Sequence, residues 1–351
     1  MKRCALIILL FLSSLPAFGQ NEEAPLNVYN GEIPPGNRTF FVATEGDNLA
    51  AGTESEPWAT LDHAVSQVAR GDVIVMRGGV YHHDDIIRIQ SPSGFTDELI
   101  VVTAYPGEVP ILDFSSQPKE RNYHGIRLNA NWWHLIGITV RNASHNGIRM
   151  DGSYNILEQF TAYGNHDTGI HMAGGASNNL IRNSDSFQNF NFDPARTDNV
   201  GESADGFSAK FEIGPGNRYV GCRAWENSDD GFDFWRAAST IIIDSTWAFD
   251  NGDASDFGNP ARFDGNGNGF KLGGDYIIAD HVVRHSMAFD NLGVSGRAKG
   301  FDYNNNRGAM TLIHNTAYNN GRNYFFPLDP PEGQTRFLNN LSAVTSQHAS
   351  T

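Results

Sequence analysis

A short pattern of alternating apolar and polar residues recurs along the chain, and every copy begins with glycine. Each copy reads Gly, apolar, polar, apolar, and successive glycines lie 22 to 38 residues apart. The repeated glycines are Gly125, Gly147, Gly169, Gly206, Gly231, Gly269 and Gly300. Alternation over so few residues is typical of a short β-strand with one buried face, and a unit of about two dozen residues is typical of a solenoid.

A second repeated motif runs in phase with the glycine strands. It consists of a small residue, an aromatic residue, any residue and then asparagine, and it ends at Asn165, Asn189, Asn227, Asn251, Asn291 and Asn320. We expect each asparagine to lie in an inward turn and to hydrogen-bond to its counterpart in the next copy. Repeats of this length without helical periodicity predict an all-β fold, a right-handed parallel β-helix of about nine to ten coils.

Helical spacing occurs once near the start, in PWATLDHAVSQVARGD. Its apolar residues are Leu61, Ala64, Val65 and Val68, and Gly71 ends the pattern. This predicts a short helix that caps the N-terminal end of the stack. We therefore divide the chain into a signal peptide at residues 1–19, an N-terminal arm at 20–38 and the β-helix domain at 39–351.

The first residues and the charge predict an exported protein. Two cations, an apolar run and Ala17-Phe18-Gly19 form a secretory signal, so we expect a secreted or periplasmic location. Its removal takes away Lys2 and Arg3 and changes the net charge from −15 to −17, which argues against nucleic acid as a partner. Cys222 then remains as a lone, inward-facing thiol, and we expect no membrane span and a monomer.

Acidic residues cluster where the strand register can be deduced. Side chains alternate along a strand, so the residue before each glycine and the second residue after it face outward. Asp205 and Asp230 precede consecutive glycines and are expected one coil apart, about 4.8 Å. Asp233 shares their face, Asp229 lies in the preceding turn, and Lys271 stacks one coil beyond Asp233. The pattern predicts four carboxylates on one outward patch beside a lysine.

This combination favours a calcium site, because hard oxygen ligands without His or Cys suit Ca²⁺. A solvated acidic face is the alternative. A cation beside a lysine suits β-elimination on an acidic polysaccharide: the ion stabilises the uronate carboxylate while a neutral Lys271 removes the C5 proton. Lys271 could instead be a surface lysine paired with Asp233.

Further cations on the same face are candidate substrate-binding residues. Arg149 and His171 lie upstream in the outward column, and the others are Lys210, Arg236 and Lys299, together with Trp235. Two long insertions, residues 190–205 and 252–268, both contain Pro-Ala-Arg; they either wall a groove or stabilise the fold. The segment DGNGNGFKLGGD mainly predicts a turn. An accessory calcium bound through Asp264 is the alternative.

These motifs resemble polysaccharide lyase family 9, the secreted β-helical pectate lyases. The resemblance rests on GDVIVMRGGVY, SADGF, NSDDGFDFW and NGNGFKLGG, and it covers nearly the whole chain after the signal peptide. It implies that Asp205, Asp229, Asp230 and Asp233 hold a catalytic calcium and that Lys271 is the base. The family includes enzymes for homogalacturonan and for rhamnogalacturonan, and the sequence leaves that choice open. It also implies more structure after FLNNLSA than the chain, which ends at Thr351, contains.

Two other functions remain open at this point. A β-helical glycoside hydrolase needs a pair of carboxylates for acid and base work and yields no unsaturated sugar. A non-catalytic carbohydrate-binding β-helix would tolerate the loss of Lys271. The sequence favours the lyase, acting on polygalacturonate or rhamnogalacturonan of plant or algal origin.

Overall fold

Short parallel strands wind the chain into a solenoid. The computed structural model describes residues 26–191, 200–326 and 334–345. Within these residues the strands form three parallel sheets, and successive strands of each sheet come from successive coils. The predicted parallel β-helix is confirmed; the predicted signal peptide lies outside the described residues.

The eleven-stranded sheet begins at the N-terminal end of the stack. Its strands are β1 (Thr39–Val42), β2 (Val73–Met76), β5 (Ile100–Ala104), β8 (Trp133–Ile136), β11 (Ile156–Glu158), β14 (Leu180–Arg182), β17 (Arg218–Val220), β20 (Ile242–Asp244), β23 (Val282–Arg284), β26 (Thr311–Ile313) and β29 (Arg336–Leu338).

From β2 onward, each strand of the eleven-stranded sheet is followed along the chain by a strand of the ten-stranded sheet. Its strands are β3 (Gly79–His82), β6 (Pro110–Asp113), β9 (Thr139–Arg141), β12 (Thr161–Tyr163), β15 (Asp185–Phe187), β18 (Arg223–Trp225), β21 (Trp247–Phe249), β24 (Met287–Phe289), β27 (Thr316–Asn320) and β30 (Leu341–Thr345).

The nine-stranded sheet carries the repeated glycine motif. Its strands are β4 (Ile87–Ile89), β7 (Ile126–Leu128), β10 (Ile148–Met150), β13 (Ile170–Met172), β16 (Phe207–Ala209), β19 (Phe232–Asp233), β22 (Phe270–Lys271), β25 (Lys299–Asp302) and β28 (Arg322–Phe325). All seven predicted glycine strands are neighbours in this sheet, which confirms the predicted register.

The inward residues of this sheet form a stacked apolar column. The rings of Phe207, Phe232, Phe270 and Phe301 are fully buried and nearly parallel, with centroids 4.7, 5.0 and 4.8 Å apart. Each such aromatic pair contributes about 1 kcal/mol beyond the burial of its area. The column fixes the spacing of the outward residues that alternate with it.

The glycine that precedes each strand is required by close packing. A Cβ atom on Gly231 would lie 2.8 Å from the Gly269 carbonyl oxygen and 2.9 Å from the Ala248 Cβ. The space that a side chain would need is therefore occupied by the next coil and by the small residue of the second motif.

The predicted asparagine ladder is present and buried. The side-chain amide of each asparagine donates to the Oδ1 of the next, from Asn165 through Asn320, over 2.8 to 3.0 Å. Because each Oδ1 also accepts the backbone N–H of the preceding asparagine, the ladder satisfies polar groups that the turns would otherwise bury unpaired.

A helix closes the N-terminal end, as predicted. Helix α1 (Leu61–Gln67) begins after Thr60, whose hydroxyl accepts the His63 N–H, and it buries Leu61, Ala64 and Val65. Two 3₁₀ helices, Ala254–Phe257 and Val294–Gly296, lie in loops between coils.

The described part of the predicted arm packs along the solenoid. The Asn27 side-chain amide donates to Thr161 and to Asp185, each over 3.2 Å, and Tyr29 and Ile33 pack against a small apolar cluster. Cys222 is fully buried, and burial raises the pKa of its thiol to about 12. Within the described ranges, every helix is too short or too polar to cross a bilayer.

Candidate active site

The predicted acidic residues come together at the centre of the nine-stranded sheet. Asp205 precedes β16, the pair Asp229 and Asp230 precedes β19, and Asp233 ends β19. Strand pairing sets Ser208 beside Asp233 and Asp233 beside Lys271. The predicted register therefore matches the observed register at Asp233 and Lys271.

Three of the four carboxylates converge closely enough to share one ion. One oxygen each from Asp205, Asp229 and Asp230 lies within 4.8 Å of the others. Oxygen ligands at 2.3–2.6 Å from a single Ca²⁺ are separated by at most about 5 Å, so the spacing fits.

The cluster faces away from the apolar core but is not open to solvent. Asp205 and Asp230 are 0% exposed, Asp233 is 2% exposed and Asp229 is 4% exposed. The outward placement agrees with the predicted register, but the burial of these carboxylates was not predicted from the sequence. The loops at residues 200–204 and 263–268 bond to the carboxylates and cover them, and such long-range cover is invisible to a strand-by-strand pattern.

Asp205 and Asp230 are held by bonds between coils. The Asp205 Oδ2 accepts the Thr168 hydroxyl over 3.0 Å, and its Oδ1 accepts the Asp230 N–H over 3.2 Å. The Asp230 Oδ1 accepts both the backbone and the side-chain N–H of Asn268, over 2.8 and 2.7 Å. The carboxylates are thus oriented by groups on the coils before and after them.

Asp229 is held by both long insertions. Its Oδ2 accepts the Ser203 N–H and its Oδ1 accepts the Asn266 N–H, each over 2.7 Å. The insertions also meet in a parallel bridge between Val200 and Phe263. In their described parts, the insertions stabilise the site, which is one of the two roles expected of them.

Asp233 is held by two lysines. Its Oδ2 lies 2.7 Å from the Lys210 Nζ and 3.3 Å from the Lys271 Nζ. Lys210 also contacts Asp205 over 2.8 Å, and Lys271 contacts Asp230 over 3.0 Å. Lys210, predicted to bind substrate, is only 12% exposed and belongs to the acidic cluster itself.

Burial and crowding shift the pKa values within this cluster. Burial, reinforced by Asp229 and Asp233, raises the pKa of Asp230 to about 7 even beside Lys271. Burial likewise raises the pKa of Asp205 well above its ordinary value. Burial opposes ionisation of Asp233, but Lys210 and Lys271 outweigh it and lower its pKa. Two of the carboxylates are thus unfavourable as anions without added positive charge.

The cluster fits a divalent cation by its donors and its charge. Four carboxylates and two ammonium groups leave a net charge of −2 when all are ionised. Buried charge of this kind is costly unless it is compensated, and carboxylate oxygens are the ligands that Ca²⁺ prefers. One divalent cation would balance the cluster.

Two upstream residues predicted to bind substrate have other partners. The Arg149 guanidinium contacts Asp151 through Nε and through a terminal nitrogen, the latter over 2.9 Å, and is 28% exposed. The His171 Nδ1 lies 2.6 Å from the Ser208 hydroxyl. Burial, together with nearby Lys210 and Arg149, lowers the pKa of His171 well below its ordinary value, so it is neutral and does not act as a cation.

The other residues predicted to bind substrate, Arg236 and Lys299, are partly exposed. Arg236 is 46% exposed, lies 3.5 Å from Asp275, and has its guanidinium carbon 5.4 Å from the Trp235 ring centroid. The Lys299 Nζ lies 3.3 Å from Asp302. Asp264 is exposed and lies outside the carboxylate triad.

Several residues that build the site were missed by sequence reasoning. Thr168, Ser203, Asn266 and Asn268 donate to the carboxylates, yet only Thr168 and Asn268 lie in the column before the glycines. The alternating asparagines of DGNGNG could have indicated these donors, because amide side chains spaced by two lie on the same side of an extended segment.

The family of this chain is shown by a match to a family model. Residues 40–332 match the model described as "Pel9A-like, right handed beta helix region". The chain belongs to this family.

Known lyases are similar to this chain over most of their own length. Pectate lyase L of Dickeya dadantii (strain 3937) is 36% identical over 319 residues, which are 88% of this chain and 72% of that protein. The crystal structure of pectate lyase Pel9A superimposes with a TM-score of 0.81 at 36% identity, over 90% of this chain and 78% of the other. A solved rhamnogalacturonan lyase gives a TM-score of 0.74 at 28% identity, over 89% and 84%. This member of the Pel9A-like family is a polysaccharide lyase of the pectate lyase type.

Proposed function

We propose that this protein is an exported, calcium-dependent lyase that cleaves galacturonate-containing pectic polymers by β-elimination. The observation that carries the proposal is the buried triad of Asp205, Asp229 and Asp230 one coil from Lys271, on a fold shared with pectate lyases. Export rests on the secretory signal pattern in residues 1–19.

In this proposal the four aspartates hold the ion. Asp205, Asp229 and Asp230 would provide the convergent oxygens, and Asp233, whose carboxylate contacts Lys210 and Lys271, would complete the set. Bound calcium supplies positive charge that stabilises the substrate carboxylate as negative charge develops on the sugar.

Lys271 is the proposed base that removes the proton at C5. Its Nζ lies at the end of β22, on the outer face of the sheet, and is 15% exposed. The C–H electron pair then forms the C4–C5 double bond while the glycosidic oxygen on C4 leaves, so the product is unsaturated. Burial disfavours the ammonium form of Lys271, but Asp230 and Asp233 outweigh burial and raise its pKa well above the ordinary value. A cation bound to Asp230 and Asp233 would offset their negative charge. The pKa of Lys271 would then fall, which is how Lys271 would become a base.

Arg149 and Arg236 are the proposed substrate contacts on either side of the cluster, together with Lys299. Both guanidinium groups are partly exposed, and a guanidinium can bind a uronate carboxylate through two parallel hydrogen bonds.

The test is ultraviolet absorbance during incubation with polygalacturonate, first with Ca²⁺ and then with excess chelator. We expect a rise from the 4,5-unsaturated product that chelator abolishes. A rise with rhamnogalacturonan alone would keep the mechanism and change the substrate, a choice that the similarity to a rhamnogalacturonan lyase makes worth testing. Cleavage without absorbance would indicate hydrolysis and refute the proposal.

A further inference from the structure

A group of cations lies on the nine-stranded sheet just beyond the acidic cluster. Strand β25 follows β22, and β28 follows β25. Lys271 pairs with Asp302, and Lys299 pairs with Arg322. Since neighbouring strands are about 4.8 Å apart, Lys299 and Arg322 lie one and two coil steps along the axis from Lys271. Lys299 lies three residues before Asp302, in line with Asn268 and Asp230, so a polymer that runs along the axis over the acidic cluster passes these cations.

The cations surround an open depression. Arg297, Lys299, Arg322 and Phe325 line a cavity of about 300 Å³. Lys299 is paired with Asp302, but Arg297 and Arg322 are exposed, and no carboxylate among the described residues lies within 4.0 Å of either guanidinium. In contrast, Arg141, Arg223 and Arg284 on the ten- and eleven-stranded sheets are each paired with an aspartate.

Phe325 gives the depression an apolar wall. Its ring is 38% exposed, with the Lys299 Nζ 5.8 Å and the Arg322 guanidinium carbon 5.0 Å from its centroid. An exposed ring beside uncompensated guanidinium groups matches a ligand that has both an apolar face and a carboxylate. A uronate has both, because its ring C–H groups form an apolar face and its C6 is a carboxylate.

We infer that Arg297, Lys299, Arg322 and Phe325 form a uronate-binding subsite for the part of the polymer beyond the cleaved bond. The inference rests on the proposed function, because it assigns the anion to the same substrate. Two cationic strands in succession suit consecutive uronates, as in homogalacturonan, better than a backbone in which uronates alternate with neutral sugars. The subsite binds carboxylates through guanidinium groups and needs no metal.

The double variant Arg297→Ala/Arg322→Ala tests this subsite. On polygalacturonate we expect KM to rise about tenfold or more, since each charged hydrogen bond that is lost is worth a factor of this order, while kcat stays within about twofold. Arg218→Ala is the matched control, because Arg218 is also an exposed arginine but lies on the eleven-stranded sheet, away from the depression on the nine-stranded sheet. Phe325→Leu tests the apolar wall alone.

A second measurement separates this subsite from the catalytic cluster. Galacturonate oligomers too short to span both the cluster and β28 are expected to react equally with the wild type and the double variant. An unchanged KM for polygalacturonate in a folded double variant would overturn the inference. If the wild type itself forms no unsaturated product from either polymer, the proposed function fails instead. If the double variant lost affinity equally for polygalacturonate and for inorganic phosphate, the depression would be a general anion site. That result would also overturn the inference.

Discussion

Asp233 lies between two ammonium groups, whereas the other three carboxylates of the cluster converge on one another. This difference follows from position: Asp233 is within β19 and pairs in register with Lys271, while Asp205, Asp229 and Asp230 lie in the turns before strands. Turn residues can approach a common point, and a strand residue is restricted to its column. The three turn carboxylates are therefore the stronger candidates for direct ion binding.

Asp230→Asn is predicted to weaken calcium binding at least tenfold. The substitution keeps the acceptor for the Asn268 N–H but removes one negative charge from a buried donor set. Isothermal titration calorimetry with CaCl₂ measures the change. Asp264→Asn is the matched control, because Asp264 is exposed and lies outside the triad. Equal affinities for wild type and Asp230→Asn would contradict the assignment, and a loss in the control would reveal an accessory site.

The asparagine ladder shows how an element common to every coil can be predicted from sequence. One residue type at one position per repeat is enough to indicate a ladder, because identical side chains stack between coils. A second ladder, Asn155 to Asn179 to Asn217, was missed because its asparagines precede strands of the eleven-stranded sheet that lack a shared motif.

Asn251→Ala is predicted to lower the free energy of unfolding by about 3 kcal/mol. The Asn251 Oδ1 accepts the backbone and side-chain N–H groups of Asn227, so the substitution leaves the buried backbone N–H without its acceptor and the amide with only its bond to the Ser186 carbonyl. Chemical denaturation measures the change. Asn129→Ala, at an exposed position, is expected to change stability by less than about 0.5 kcal/mol. Similar values for the two variants would show that the ladder contributes little.

His281→Asn is predicted to make the fold more resistant to acid. The His281 Nδ1 accepts the Ile241 N–H, the bond that an asparagine makes elsewhere in the stack. Burial lowers the pKa of His281 to about 4, from about 6.5 in an unfolded chain. Between these values the unfolded chain binds more protons, so stability falls as pH falls through this window, by up to roughly 3 kcal/mol.

Urea unfolding of the wild type and of His281→Asn at several pH values between 4 and 7 checks this prediction. The loss of stability below pH 6.5 should be smaller in the variant, while other buried histidines such as His124 still titrate. Parallel stability curves for the two proteins would refute the role of His281.

At the scale of the whole molecule, the sequence predicted the solenoid and the column that contains the site. Both depend on neighbouring coils, and the repeat spacing determines which residues are neighbours. It did not predict the burial of the cluster or the contacts of Lys210. These depend on the insertions and on side-chain contacts across turns, which have no fixed period. Asn266 reaches Asp229 from 37 residues away, for example.

Chelation is predicted to lower the melting temperature by about 5 °C. Calcium at a hundredfold excess over its Kd stabilises the folded chain by about 2.7 kcal/mol, and for a chain of this size each kcal/mol is worth roughly 2 °C. Differential scanning calorimetry at one scan rate, with Ca²⁺ and then with chelator, measures the shift. Asp230→Asn should respond less. Identical melting temperatures with and without calcium would argue against a buried ion.

The most direct test of a lysine base beside a calcium site is the rate of unsaturated product formation by Lys271→Ala at saturating calcium. Absorbance of the 4,5-unsaturated product from polygalacturonate gives the rate, and calorimetry shows whether the variant still binds calcium. We predict a rate at least about a thousandfold below that of the wild type, with calcium binding retained. Lys271→Ala with a near-normal rate, or full loss confined to Lys210→Ala, would contradict the assignment of Lys271 as the base.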